Sequence, residues 1–421
     1  MEKTKISLTH FSAGDVINST EGTLERGAVT DSNSLSPEMK TFYDKTLITL
    51  AGANLIHEQF GQKRPIPKGA GKSVEFRKFS KLPKALKPIT EGVTPSGNKL
   101  NVTTVGCTVE QYGDYIEQTD LLELTAIDNT IVEATKELSA QAGLTLDTVV
   151  RNELVGGTNV MYAPEIKDGT ETEILSRKDI NKNCKLRVKD IFRAAAELKA
   201  VNAPKIGNSY VAVIHPYVAY DLMQEAGDQW VGISKYVNPE NILKGEIGTL
   251  GGVRFVESTE AKIYGPSVIA QNISRVTVAE NVSSSANVTV EEDMGEVSLS
   301  EGVTVYAGGE ENTVTAINGN TLTLASPVTL KKGDIICGTG AGKDGSAVFC
   351  TLFLGENAYG VTDIEGGGLQ HIVKQRGYGN DPLNQRSSVG WKATKVAKRL
   401  LEEYIIRFES GSEFSMAAQT N

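Results

Sequence analysis

One string in the chain could bind a phosphate group, since Gly69-Ala70-Gly71-Lys72-Ser73 matches the end of a phosphate-binding loop. The full motif needs a further glycine five residues before Gly71, where this chain has Ile66, and it leads from a strand into a helix. Here prolines come before the string and a strand pattern follows it. The sequence therefore favours a turn between two strands over a nucleotide site.

The side chains that most often bind metals or act as nucleophiles are few and scattered. They are His10, His57, His215, His371, Cys107, Cys184, Cys337 and Cys350. None of them shows the close spacing of a metal site, and the chain contains no nucleophile motif. We therefore expect packing roles for these residues, no cofactor and no enzymatic activity.

A run of basic residues is the strongest charge signal in the sequence. Between Gly61 and Pro88 there are nine Lys or Arg residues and one acid, Glu75. A nucleic-acid strip, a solvated surface and an arm that docks on acidic patches of neighbouring copies are all compatible with such a run. The arm is favoured, because only Phe76 and Phe79 could stack on bases. Its predicted contact residues are Lys68, Lys72, Arg77, Lys78, Lys81, Lys84 and Lys87.

Composition excludes several classes of protein. The chain has 421 residues, of which 39% are hydrophobic and 23% charged, a usual balance for a folded protein of two or three domains. No apolar run approaches the roughly 20 residues of a membrane helix, and residues 1–30 contain no secretory signal. We expect a protein that is made in a reducing cytosol and has no membrane partner. The net charge of -9 limits DNA binding to weak, local contacts.

Two elements would position the basic run and its surroundings. Val74, Phe76 and Phe79 are followed by a turn-rich stretch and then by Leu100, Val102, Val105 and Val109, and these apolar residues predict the two strands of an extended hairpin. Such a hairpin is marginal alone in water, so we expect it to lie on a partner surface. A long helix follows, between Ala126 and about residue 157, and about 25 residues make it roughly 37 Å long. Its predicted packing residues are Ile131, Leu138, Ala142, Leu146 and Val149.

The rest of the chain shows three further patterns. Residues 1–36 form a polar arm, and a helix is predicted from Thr41 to Phe60. Residues 186–264 alternate helix and strand, with a buried strand at Tyr210–Ile214. From Val276 to Leu330 there are eight acids and no Lys or Arg, and period-two stretches there predict a separate antiparallel β insertion.

A set of short strings occurs in order between about residues 40 and 410. They lie at 61–67, 90–95, 111–115, 144–147, 156–159, 215–222, 236–246, 251–255, 381–387 and 390–394, and include Thr90-Glu91-Gly92-Val93-Thr94-Pro95 and Gly390-Trp391-Lys392-Ala393-Thr394. Together they resemble the major capsid proteins of tailed double-stranded DNA bacteriophages, in the group typified by coliphage N-four. The insertion is the part that the resemblance covers least.

The resemblance implies an α+β protein with the Hong Kong-type capsid fold. The implied parts are an N-terminal arm (1–40), a peripheral-domain helix (41–60), an extended loop hairpin (61–112), a peripheral domain with the long spine helix (113–185), an axial domain (186–272), an inserted acidic β-rich module (273–346), and return strands of the axial and peripheral domains (347–421).

The resemblance also implies a function. Copies of the chain would form the pentamers and hexamers of an icosahedral shell, assembled in the bacterial host cytoplasm, that encloses packaged double-stranded DNA in the virion. The implied partners are further copies, a portal protein, a possible decoration protein and DNA held by weak contacts. The chain has no long amino-terminal scaffolding extension, so the expected scaffold is a separate protein. The alternative is an exported polysaccharide-binding or adhesive surface protein, which would need an export signal.

Overall fold

The computed structural model describes residues 55–79, 82, 84–86, 88–89, 91–92, 94, 97–125, 130–227, 231–232, 245–297, 302–374, 383–416 and 418–421, with two short strands at 24–25 and 28–29. Most of the predicted arm and of the predicted helix from Thr41 to Phe60 lies outside these residues. The described end of that helix, residues 57–60, forms a turn. The prediction that the helix continues to Phe60 is therefore wrong.

The described residues contain twenty-six strands, four α-helices and three single-turn 3-10 helices, at Arg177–Asp179, Lys343–Gly345 and Glu402–Tyr404. The strands before residue 200 are β1 (Leu24–Glu25), β2 (Ala28–Val29), β3 (Gln62–Lys63), β4 (Ser73–Phe79), β5 (Val102–Thr108), β6 (Glu110–Thr119), β7 (Val160–Tyr162), β8 (Glu165–Lys167) and β9 (Thr170–Thr172). The helices are α1 (Asp120–Thr125), α2 (Thr130–Val155), α3 (Val188–Ala200) and α4 (Pro216–Ala226).

The remaining strands follow in chain order. They are β10 (Tyr210–Ile214), β11 (Val231–Gly232), β12 (Glu246–Leu250), β13 (Val253–Glu257), β14 (Ile263–Tyr264), β15 (Arg275–Thr277), β16 (Val282–Thr289), β17 (Glu296–Val297), β18 (Val303–Ala307), β19 (Glu310–Asn318), β20 (Thr321–Leu330), β21 (Ile335–Gly338), β22 (Val348–Leu354), β23 (Tyr359–Thr362), β24 (Gln370–Lys374), β25 (Arg386–Arg399) and β26 (Ile405–Ser410). No helix of the described residues is long and apolar enough to cross a membrane.

The chain divides into two compact units. Unit 1 comprises residues 1–55, 63–149 and 361–397, and unit 2 comprises residues 56–62, 150–360 and 398–421. In unit 1, β25 pairs antiparallel with β24 along one edge and with β6 along the other. Alternating apolar side chains of β25 form one face of this sheet, and α2 packs on them.

Unit 2 is built on a mixed sheet with the strand order β11–β12–β13–β10–β22–β26–β7. The central strand β10 is buried at every residue, pairs parallel with β13 and antiparallel with β22, and reads as a continuous apolar run. Helices α3 and α4 bury one apolar stripe each, including Ile191 and Leu198 of α3 and Leu222 of α4. The predicted strand Tyr210–Ile214 has the bounds that the sequence pattern indicated.

A buried ionic cluster lies at β26 of unit 2. The carboxylate of Glu409 is fully buried and accepts two hydrogen bonds from Arg177, at 2.7 Å from Nε and 2.6 Å from Nη2. Arg407 Nε lies 2.9 Å from the same carboxylate, and the Arg177 guanidinium lies 3.5 Å from the centroid of the Tyr264 ring. Two cations thus compensate one buried carboxylate, which makes the cost of its desolvation tolerable.

The acidic segment of the sequence folds into a small antiparallel barrel within unit 2, here called the β module (residues 273–338). Its strand order is β15–β21–β18–β19–β20–β16, and the bridge between Val278 and Val290 joins the two ends. The interior is a separate hydrophobic cluster that includes Val288, Val305 and Leu322, all fully buried. A seventh strand, β17, pairs with β19. Pairing between the two ends of a sheet protects them from other strands, which suits an inserted module.

Candidate functional site

The basic run forms the hairpin that its pattern predicts. Strands β4 and β5 pair antiparallel from Ser73 opposite Thr108 to Phe79 opposite Val102. The base of the hairpin is held within unit 1 by backbone hydrogen bonds, from Ile66 N to Asp363 O at 2.8 Å and from Glu365 N to Ile66 O at 2.8 Å. The hairpin therefore projects from a defined point of the sheet region of unit 1.

The two faces of this hairpin differ. On one face Phe76 is only 3% exposed, and the Arg64 guanidinium lies 5.9 Å from the centroid of its ring. The opposite face carries Glu75 and Arg77 of β4 and Thr104 of β5, and all of these side chains are exposed. The hairpin thus packs on its own chain at Phe76, while the opposite face and, near the end of β4, Lys78 are exposed.

The predicted contact cations fall into two groups. Lys68, Lys72, Arg77, Lys78 and Lys84 are exposed, and none of them forms an ion pair with a residue that the structure describes. Lys81 and Lys87 lie outside the described residues. Beyond the strands, large apolar side chains are also exposed, namely Leu82 (55%), Leu86 (82%), Ile89 (76%) and Leu100 (60%). A surface that combines free cations with exposed leucines is suited to contact another molecule.

The glycine string beside the hairpin does not form a phosphate-binding loop. Gly69 and Gly71 have positive φ angles of 86° and 89° and sit in the turn before β4, with open space where a Cβ would stand. Lys72 then leads into a strand, and its backbone carbonyl accepts a hydrogen bond from Val109 N at 2.8 Å. No helix N-terminus follows to bind an anion, so the turn is part of the hairpin.

The predicted packing residues of the spine helix, α2, differ in how deeply they are buried. Leu138, Ala142 and Leu146 are buried against Val389, Trp391 and Ala393 of β25 in unit 1. Val149 is only half-buried, and its neighbour Val150 is fully buried instead, because the buried row repeats every four residues. The side chain of Ile131 lies outside the described residues.

A polar contact that the sequence analysis missed fixes the helix to the sheet of unit 1. The side-chain amide of Gln141 donates to Asp114 Oδ2 at 2.7 Å and accepts from Trp391 Nε1 at 3.1 Å. Gln141, Asp114 and Trp391 come from three distant segments of the chain. The only sequence signal for this contact is the position of Gln141 on the helix, one residue before Ala142. Trp391 is buried, and this hydrogen bond satisfies the indole N–H, which is the only donor of its side chain.

The histidines and cysteines show no arrangement for catalysis in the described chain. His215 caps α4, its Nδ1 accepting a hydrogen bond from Tyr217 N at 3.2 Å, and burial lowers its pKa to about 4. Burial raises the pKa of Cys337 to about 11 and that of Cys350 to about 12, so both thiols are protonated at neutral pH. Among the described residues, no three His, Cys, Asp or Glu side chains could together hold a metal ion.

Solved structures of phage capsids are similar to this chain over almost its whole length. The match to the capsid of Ralstonia phage GP4 covers 97% of this chain and 99% of the phage chain, with a TM-score of 0.50 at 14% sequence identity. The chain has the fold of a phage capsid protein. The predicted α+β capsid fold is thereby confirmed.

Two other phage structures also match the chain, with lower TM-scores. The match to the capsid of cyanophage P-SCSP1u has 13% identity, covers 89% of this chain and 91% of the other, and has a TM-score of 0.48. The match to the head of Helicobacter pylori bacteriophage KHP40 has 10% identity, covers 93% and 98%, and has a TM-score of 0.46. No protein-family model matches the sequence, and no curated protein sequence matches it.

Proposed function

We propose that this protein is the major capsid protein of a tailed double-stranded DNA bacteriophage, of the type represented by coliphage N-four. The observation that carries the proposal is the fold shared with the capsid of Ralstonia phage GP4 over 97% of the chain. Copies of the chain form pentamers and hexamers, and these close into an icosahedral shell around packaged DNA. The protein acts by assembly and not by catalysis.

The hairpin supports this proposal through its free face. Head-to-tail contacts that close into rings need a surface on one copy that reaches a different surface on the next. The exposed side of β4 and β5, with the free cations and the exposed Leu82 and Leu86, provides such a surface. Each contact is weak, so incorrect additions dissociate, and the shell is stable because many contacts act together.

The overall charge agrees with an interior that holds DNA loosely. The net charge of -9 disfavours strong attachment to phosphates, and packaged DNA must be able to move. The expected partners are a separate scaffolding protein, a portal protein and a possible decoration protein, with assembly in the bacterial cytoplasm. In this scheme the arm (1–40) and the hairpin (61–112) reach neighbouring copies, while the spine helix and the axial residues (186–272) form the body of the subunit.

The alternative, an exported polysaccharide-binding or adhesive protein, would place recognition on the β module. Aromatic rings are the side chains that most often provide flat binding platforms. Tyr306 is the only aromatic residue in the module sequence, and it is half-buried. Nothing on the described surface of the module therefore favours this alternative.

Electron microscopy of the purified protein tests the proposal. The protein is expressed alone and with a candidate scaffolding protein, and negatively stained samples are examined at low and moderate salt. We expect shells, tubes or capsomers, since the contacts that build a shell also form such related assemblies. A protein that stays a uniform monomer under all of these conditions would contradict the proposal.

A further inference from the structure

A cleft of about 810 Å³ opens beside the β module in unit 2. The segment from Glu165 to Asp179 forms one wall, and the turns at 308–309, 333–335 and 342–344 form the other. Leu175 at its edge is 80% exposed. A cleft of this size can take several side chains of a bound segment.

The charge of the cleft is negative. Five carboxylates line it, against only two ammonium groups, those of Lys178 and Lys343; the carboxylates are Glu165, Glu173, Asp179, Asp334 and Asp344. Glu173 and Asp179 are exposed, and neither forms an ion pair with a residue that the structure describes. An occupant of this cleft should therefore be cationic and should carry some apolar surface for Leu175.

The hairpin has the positive charge and the exposed apolar side chains that an occupant of the cleft needs. Lys78 and Lys84 are exposed and form no ion pair with any described residue. Leu82, between them in the sequence, and Leu86, which follows Lys84, are also exposed. Residues 61–88 carry a net charge of +8, from nine basic residues and one acid. Opposite charge on two unpaired surfaces of one chain favours contact between copies, where every subunit offers both.

We propose that the acidic cleft beside the β module receives the basic hairpin of a second copy of this chain. The inference rests on the proposed assembly function and names the surface that the hairpin contacts. In it, Lys78 and Lys84 lie against Glu173 and Asp179, and the exposed leucines of the hairpin cover Leu175. The β module thereby contributes one wall of an intersubunit contact.

A charge-reversal series tests this pairing in full-length protein. The hairpin variant is Lys78→Glu with Lys84→Glu, the cleft variant is Glu173→Lys with Asp179→Lys, and a third variant combines all four changes. Glu356→Lys with Glu403→Lys, at exposed positions that do not line the cleft, is the matched control. Particle yield is measured by sedimentation and microscopy, and the melting of unassembled subunits shows that each variant is folded.

The expected result is a loss of particles by more than about tenfold in the hairpin variant and in the cleft variant, because like charges then face each other. The combined variant should recover to within about twofold of the wild type, since attraction is restored. The control should assemble normally. If the wild type assembles but the cleft variant does so too, or the combined variant does not recover, the pairing is wrong and the capsid function stands.

A cross-linking experiment separates contacts between copies from contacts within one copy. The variant Lys84→Cys with Glu173→Cys is assembled and then oxidised. Disulfide-linked dimers and larger chains on a denaturing gel are expected, and the two variants that carry only one of the introduced cysteines beside the four native ones should lack them. Linkage confined to monomers, or no linkage in intact particles, would overturn the inference. A wild type that never assembles would instead overturn the capsid function itself.

Discussion

His215 is a buried residue whose protonation opposes folding. Its ring lies 4.9 Å from that of Tyr217 and 5.1 Å from that of Phe349, and 7% of the residue is exposed. Burial among these rings lowers the pKa from 6.5 to about 4. The neutral ring can accept the hydrogen bond that caps α4, whereas a protonated ring cannot.

This shift makes stability depend on pH in a defined window. The unfolded chain binds a proton at His215 below pH 6.5, and the folded chain does so only below about pH 4. The free energy of unfolding should therefore fall as the pH is lowered from 6.5 to 4, by on the order of 3 kcal/mol from this residue. His215→Asn keeps a capping acceptor and removes the titration.

Urea unfolding of both proteins at several pH values measures the effect. The wild type should lose more stability than His215→Asn between pH 6.5 and pH 4, and the two should change in parallel above pH 7. Parallel curves across the whole range would show that His215 is not neutral in the folded state.

At the scale of elements, α2 buries one row of side chains along its surface. Ala134, Leu138, Ala142, Leu146 and Val150 repeat every four residues and are all buried. Such a row follows one stripe of the helix surface and can pack along a sheet face. Leu144 lies on a different stripe and is 38% exposed.

Truncation at these two leucines should have different effects. Leu138→Ala leaves a cavity against Val389 and Trp391 and should lower the free energy of unfolding by about 2–5 kcal/mol. Leu144→Ala, the matched control, should change it by less than about 0.5 kcal/mol. Chemical unfolding monitored by circular dichroism gives both values. Equal losses for the two variants would contradict the packing of this helix face.

At the scale of the whole molecule, the basic hairpin should matter for assembly more than for folding. Lys78 and Lys84 are exposed and form no ion pair with a described residue, and exposed charges contribute little to a subunit's own stability. Changing Lys78, Lys81 and Lys84 to Glu should leave the melting temperature of the monomer nearly unchanged. Assembly should fail or require high salt, because the same repulsion recurs at every contact and salt screens it.

Monomer melting and particle yield across a salt series measure the two effects separately. The control changes Lys182, Lys199 and Lys205 to Glu, which are exposed residues of unit 2, and it alters the net charge equally. A hairpin variant that unfolds as a monomer, or one that assembles normally at low salt, would argue against an intersubunit role.

Patterns that repeat over a few residues were predictable from the sequence. The helix between residues 126 and 157, the strand Tyr210–Ile214 and the paired strands of the hairpin lie where their spacing indicated, since a helix or strand needs only local periodicity. The change in composition at Val276, where Lys and Arg disappear and acids become frequent, likewise indicated the β module from local sequence. Resemblance over many short strings then supplied the capsid fold, which no single pattern could have shown.

Contacts between distant residues needed the tertiary structure. Arg177 and Glu409 are 232 residues apart, and nothing near either one indicates a buried pair. Val149 is half-buried and its neighbour Val150 is fully buried, and which of the two is buried depends on tertiary packing that local spacing does not give. The bridge from Val278 to Val290, which closes the β module, likewise depends on strand register. Local sequence determines which elements form, and the packing of all elements together determines which side chains meet.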